Sequence, residues 1–411
     1  MRYIPLAVAL SALALAASAG AGDSVLLASR RGGWIEAIDL KTLETVSRIR
    51  VPEMTESVAS DTSGQRLFVA APSGPGKGCC ALFAMDPQSM QLSVLVEPAL
   101  SATVTAGRLF TQRGAVGIEV FDLQNLTRLP AVKAPGNYRL RASLDGRLLF
   151  GITRFPQPSL DLFDAERGAL IASRPLSDAS SLAGAWLGPQ YFLLTAQSGE
   201  VNLRPVNADS GKLGQAVSVS SSGSFPDCQP TPYDMIASGG RLVIYDQFGL
   251  KSDGACAVLG GFVVTDPSTG TVTDRFASDM SFRQMVGSSD GLYLYGLEVG
   301  SPAWRRVRIV KIEARTGQVV AEKSLDPDVW YLTTGQIPDE IRGHLDLAAI
   351  LPARLQVSRR PEAINVGRFR RCPVTPAMWG FWKMTVAKTP RRMKSANAVF
   401  LPHQKFASGL V

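Results

Sequence analysis

The chain has 411 residues, 45% hydrophobic and 19% charged, with 38 Gly and 26 Pro, which excludes a disordered or fibrous protein and leaves ample material for a large core. Its two histidines, His344 and His403, both lie near the C-terminal end, excluding a multi-histidine metal centre and a Ser-His-Asp triad within the first 343 residues. The formal charge is +8, but residues 350–411 hold twelve Lys/Arg against one acid, Glu362; the first 349 residues are net −3, so the basic total is no sign of a nucleic-acid groove in the body.

One Arg precedes an apolar run from Ile4 to Ala17, and small-residue cleavage patterns follow at Ala17-Ser18-Ala19 and Ala19-Gly20-Ala21. This pattern predicts a secretory signal peptide over residues 1–21 and a product that is periplasmic or secreted. The run is short for a bilayer span and no other stretch reaches that length and hydrophobicity, so no integral membrane segment is expected after cleavage.

The body then repeats. A short β-rich run ends in Asp or a similar residue, a turn follows, and a second β-rich run returns. The turn anchors are Asp39, Asp86, Asp122, Asp164, Asn207, Asp266 and Glu313, spaced by 47, 36, 42, 43, 59 and 47 residues. Seven units of this period predict propeller blades. Each unit carries a second hairpin, as in ESVASDTSGQRLFVAA, YRLRASLDGRLLFGI and FRQMVGSSDGLYLYGL, where Ser63-Gly64, Asp145-Gly146 and Asp290-Gly291 mark the turns. Four strands per blade follow, A to D from centre to rim. The chain begins at a B strand, Ser24–Ser29, so the missing A strand must come from the far end; Asp328–Thr333 stands in the right place. The expected fold is all-β, a seven-bladed propeller over residues 22–340 closed by pairing of its first and last strands. Closure leaves no exposed strand edge within the ring.

The Asp anchors recur at equivalent rim turns, where a carboxylate accepts turn N–H groups, and are read as structural rather than catalytic. No phosphate-binding Gly-Lys-Ser/Thr loop, dinucleotide fingerprint, Cys-x-x-Cys or haem-attachment motif occurs.

The segment SVLLASRRGGWIEAIDLKTLETVSRI and its echoes resemble the bacterial YVTN-type β-propeller repeat, over roughly residues 24–333. Similar architectures include lactonase-like propellers and the heavy chain of periplasmic amine dehydrogenases. The latter is the nearer analogue in size and blade number, and implies a scaffold for a small quinone-bearing catalytic subunit. The resemblance specifies the fold and assigns no active residue.

In such a blade the D–A and B–C connections share one face. The long connections, Ala71–Cys80, Ser220–Pro232, Asp246–Val258 and Leu297–Arg305, all belong to it, which makes it the expected ligand or partner face. The residues expected there are Glu56, Tyr138, Trp186, Asp227, Tyr233, Asp234, Asp246, Phe282 and Trp330. The aromatics either line the channel mouth or pack between blades. Asp227, Asp234 and Asp246 are weighed as ligands for a hard cation, but no contiguous calcium loop is present and no metal is assigned. Cys228 and Cys256 fall in two loops of blade 6, where an exported protein can hold a disulfide worth about 3–4 kcal/mol. The adjacent Cys79 and Cys80 would form a vicinal disulfide, bind a soft metal or pair elsewhere.

Residues 341–411 read as a basic, Pro-containing, irregular extension, or as the product of a change of reading frame near residue 345. Three readings follow: a binding or scaffold protein for a protein partner or small ligand; an enzyme, which the resemblance implies as the non-redox subunit of a periplasmic oxidoreductase such as an amine dehydrogenase or as a lactonase-like hydrolase; and an envelope assembly factor. No cofactor is assigned to this chain; the lactonase-like reading alone would bring a divalent ion among acids and amides around the channel.

Overall fold

A computed structural model describes residues 25–348 with interruptions, of which 73–79, 220–230 and 300–306 are the longest. The first three strands, β1 (Val25–Arg30), β2 (Trp34–Asp39) and β3 (Thr45–Arg50), form three-quarters of blade 1. Blade 2 is β4 (Ser57–Ser60), β5 (Leu67–Ala71), β6 (Ala81–Asp86) and β7 (Gln91–Val96). Blade 3 is β8 (Thr103–Thr105), β9 (Arg108–Gln112), β10 (Ile118–Asp122) and β11 (Arg128–Val132). Blade 4 is β12 (Tyr138–Ala142), β13 (Leu148–Thr153), β14 (Ser159–Asp164) and β15 (Ala169–Pro175). Blade 5 is β16 (Ser181–Leu187), β17 (Gln190–Gln197), β18 (Glu200–Val206) and β19 (Val217–Val219). Blade 6 holds β20 (Thr231–Ser238), β21 (Arg241–Ser252), β22 (Ala255–Leu259), β23 (Phe262–Thr265) and β24 (Val272–Phe276). Blade 7 is β25 (Phe282–Gly287), β26 (Tyr293–Val299), β27 (Val307–Glu313) and β28 (Val319–Leu325).

The next strand, β29 (Val329–Gly335), leaves blade 7 and pairs antiparallel with β1, from Val25 opposite Gly335 to Arg30 opposite Val329. This is the closure expected of Asp328–Thr333, shifted by one residue at its start. Arg30 binds the turn that introduces β29, at 2.7 Å from Asp326 and 3.0 Å from Asp328, and the Arg31 amide donates to the Asp328 carbonyl. On the far side of blade 1, β30 (Leu347–Ala348) pairs parallel to β3, and Ile337 and Ile341 are buried against blades 1 and 2. The chain therefore remains attached to blade 1 beyond residue 340.

The core is a ring of seven clusters, one between each pair of neighbouring blades. This follows from strand period: Phe83 and Met85 of β6 face blade 1, while Leu82 and Ala84 face blade 3. A strand packed on both faces must be apolar throughout, and β5, LFVAA, is buried at every position. The outer strands lose one neighbour, and β15 is exposed along most of its length.

The rim turns work as their sequence implies. The Asp39 carboxylate accepts the Lys41 and Thr42 amides at 2.8 and 2.9 Å, and Asp122, Asp164 and Asp266 accept the equivalent turn amides, as does the Asn207 side-chain oxygen. Backbone donors hold the Asp164 carboxyl below its ordinary range.

Two expectations are corrected. The connection Asp246–Val258 is no open loop: β21 runs on to Ser252 and β22 folds back on it, from Phe248 opposite Leu259 to Ser252 opposite Ala255. The physical signal was Asp253-Gly254, a hairpin dipeptide between two β-rich runs. No disulfide occurs among the described residues, and Cys80 is a free, buried thiol, so the Cys79–Cys80 bridge is not made. Cys79 and Cys228 lie outside the described residues, and Cys256 is described only as backbone in β22. No helix among the described residues is long and apolar enough to cross a membrane.

Candidate functional site

The inner strands β29, β4, β8, β12, β16, β20 and β25 surround the axis, and their first residues lie on the D–A and B–C face. Trp330 is the second residue of β29, and Arg283 the second of β25. Arg31 sits in the turn between β1 and β2. The guanidinium carbons of Arg31 and Arg283 lie 4.0 and 4.4 Å from the centre of the Trp330 ring, and Arg283 also donates to the Val329 carbonyl at 3.2 Å. Cation–π attraction of this kind fixes both side chains in place on one indole. Glu56, one residue before β4, is the acid of this cluster. Burial pushes its carboxyl up, against the pull of Arg31.

Cys80 stands beside Glu56. Burial, and then the Glu56 charge, push its thiol up to about 11. A thiol held protonated is a poor nucleophile. With Cys79, Cys228, Cys256 and Cys372 changed to Ser, we expect Ellman's reagent at pH 8 to label folded Cys80 roughly a hundredfold more slowly than the urea-unfolded chain. Equal rates in the two states would show that the thiol is neither shielded nor raised above its ordinary pKa.

Arg139 and Arg141 lie two residues apart on β12, Arg139 at the strand's start and Arg141 further along the channel. Arg141 reaches across two neighbouring blades: it donates to the Gly184 carbonyl of blade 5 at 3.2 Å and to Asp234 of blade 6 at 2.9 Å. Arg139 approaches the other Asp234 oxygen at 3.5 Å. Desolvation raises the Asp234 carboxyl, but Arg141, Arg139 and the Met235 amide outweigh it, and the group stays below the ordinary carboxylate range. Tyr331 closes the other side of this tier, sharing side-chain hydrogen bonds with Ser57 and Gln284, and it feels the charges of both Arg141 and Asp234.

Of the residues expected on the ligand face, Trp330 stands at the mouth under Arg31, Glu56 lies within the field of the same Arg31, and Asp234 sits in the channel. Tyr138 and Phe282 are placed between strands instead. A Cβ at Gly151 would stand 2.6 Å from the Tyr138 ring, and one at Gly296 would collide with Phe282, so each aromatic fills space that a glycine on the next strand leaves open. The Tyr138 hydroxyl donates to Asp161 at 2.7 Å, and Phe282 is only 2% exposed. Trp186 lies at the opposite end, one residue before the close of β16, packed on Phe150 and Tyr191 with ring centres 5.3 Å away. Asp227 lies outside the described residues, and Tyr233 and Asp246 are described as backbone only, Asp246 facing Pro232 across the ladder. Among the described residues no three His, Cys, Asp or Glu side chains converge as a metal site would require.

Arg31, Arg139, Arg141 and Arg283 were missed at the sequence level. A signal existed: Tyr138-Arg139 and Phe282-Arg283 are the same aromatic–arginine pair at the start of two inner strands.

The chain is similar to a solved structure of Kuenenia stuttgartiensis hydrazine synthase, at 14% identity and a TM-score of 0.54, over 71% of this chain and 93% of that one. It is also similar to dihydro-heme d1 dehydrogenase NirN in complex with DHE, at 13% identity and a TM-score of 0.50, over 76% of this chain and 75% of that one. At these identities the likeness establishes the propeller fold and does not single out the YVTN type. No family model and no curated protein matches the chain.

Proposed function

We propose that this chain is an exported propeller that serves as the subunit without a redox centre in an oxidoreductase assembly, with residues 1–21 as leader and the D–A and B–C face as its working surface. The observation that carries the reading is the arginine collar on Trp330, a rigid charged rim at the mouth of a ring that otherwise presents turns and strand ends. Two of the solved structures it resembles support it, because one is named a synthase and the other a dehydrogenase. A propeller that lends a face and leaves redox chemistry to a partner needs few reactive side chains of its own, and the protonated Cys80 agrees with that role.

The test is gentle purification of the tagged protein from its native host, reading intact mass, copurifying proteins, metals and the visible spectrum from one sample. The expected result is a stoichiometric small partner with quinone or haem absorbance. A colourless, partner-free monomer would overturn the oxidoreductase reading and leave a stand-alone binding protein.

A further inference from the structure

We propose that the central channel is a binding site for a small oxyanion or carboxylate, admitted past Trp330 and gripped by the arginines of the inner strands. The inference rests on charge and geometry in this chain and stands whether or not an oxidoreductase partner exists.

The seven inner strands carry three arginines, Arg139, Arg141 and Arg283, and one acid, Asp234; with Arg31 and Glu56 at the mouth the count is four arginines against two acids. The first 349 residues as a whole are net −3. Positive charge is thus gathered around the axis of a body that is otherwise mildly acidic. Low-dielectric walls on every side focus the field of such a cluster along the channel and raise the local concentration of anions.

The Arg141–Asp234 pair by itself would be a structural staple, tying blade 4 to blade 6 across the carbonyl of Gly184. That role needs one guanidinium. Asp234 is shared with a second, Arg139, whose side chain keeps 35% of its surface exposed, while Arg141 keeps 33%. Both sit on an inner strand, and the water they meet is that of the channel. Two guanidinium groups around one carboxylate leave a net positive charge where a further anion can add. Forked N–H donors match the paired oxygens of a carboxylate or an oxyanion. At the mouth, Arg31 and Arg283 are already held on the Trp330 ring, so little ordering is lost when they meet a ligand. Tyr331, next in sequence to Trp330 and within the field of Arg141 and Asp234, joins the two tiers.

The test titrates the full secreted chain with sodium selenate and, separately, with sodium succinate, by calorimetry at fixed ionic strength set with sodium chloride. Anomalous diffraction from selenate-soaked crystals then locates the site. We expect one-to-one binding of at least one probe and, where selenate binds, a selenium peak between Arg139 and Trp330. Tighter selenate binding would point to an inorganic oxyanion, and tighter succinate binding to an organic acid. Arg139→Gln and Arg283→Gln should each weaken binding at least tenfold, while Arg167→Gln on the rim leaves it unchanged. Failure of both probes to bind, or unchanged affinity in a folded Arg139→Gln protein, would overturn the proposal. Should Arg139→Gln fail to fold, the wild-type selenium position decides, since a peak outside the channel overturns the proposal equally.

Discussion

A chain stopped after Leu325 should not fold into a soluble, cooperatively melting propeller, whereas one stopped after Ala348 should melt in a single transition. The first loses β29 and with it the whole hydrogen-bonded edge of β1, from Val25 to Arg30. It also loses the buried side chains Val329, Leu332, Ile337 and Ile341, each at most 5% exposed. At roughly 1.5–3 kcal/mol per fully buried aliphatic side chain, that is about 6–12 kcal/mol. The total stability of a domain is only about 5–15 kcal/mol. Arg30 would lose both Asp326 and Asp328, keeping only Glu36 at 3.5 Å. The bared β1 edge would then offer a template for other chains, so aggregation should accompany the loss. Circular dichroism melts and light scattering on the two chains decide the matter. A soluble Leu325-terminated monomer with a native-like melt would show that β29 does not close the ring.

The closing strand was legible because propeller repeats impose arithmetic: a chain that opens on a B strand owes an A strand elsewhere. The rim acids were legible because one carboxylate two residues before a turn amide has a local, recurring job, visible at Asp39, Asp122 and Asp164 without any tertiary information. The channel arginines were not. On β12, Tyr138-Arg139-Leu140-Arg141-Ala142 alternates like any half-exposed strand, and nothing local says that its polar side meets blade 6. Arg141 and Asp234 are 93 residues apart in sequence and become neighbours only when blades 4, 5 and 6 pack around the axis. Trp186 was misplaced along the axis for a related reason. An aromatic followed closely by a turn looks the same at either end of an inner strand, and β16 proves to begin at Ser181 and end just past the tryptophan. The state of Cys80 depends on burial beside Glu56, a contact between the D–A connection and the B–C connection of one blade that spacing alone does not reveal.

Asp234→Asn should destabilise the protein by about 2–4 kcal/mol at pH 7, because it leaves the guanidinium groups of Arg139 and Arg141, neighbours on β12, without the carboxylate they share. The cost falls at the lower end of what a fully dry pair would lose, since both arginines keep about a third of their surface in channel water. The pH dependence has a definite sign. Burial raises the Asp234 carboxyl, the two arginines and the Met235 amide lower it further, and the folded group lies below its ordinary value. Its contribution is therefore complete above the unfolded pKa of about 3.9 and disappears as pH falls through the lower folded value. Urea denaturation should give the same difference between wild type and Asp234→Asn at pH 7 and pH 5, and a shrinking one below about pH 4. A difference that grows on acidification would mean that the carboxyl is protonated in the native state and that Arg141 is neutralised by another group. The same variant reports on the channel as an anion site. With the internal carboxylate gone, an added oxyanion binds the folded state alone and stabilises it by linkage, so millimolar selenate should recover part of the lost stability in Asp234→Asn and add less to the wild type.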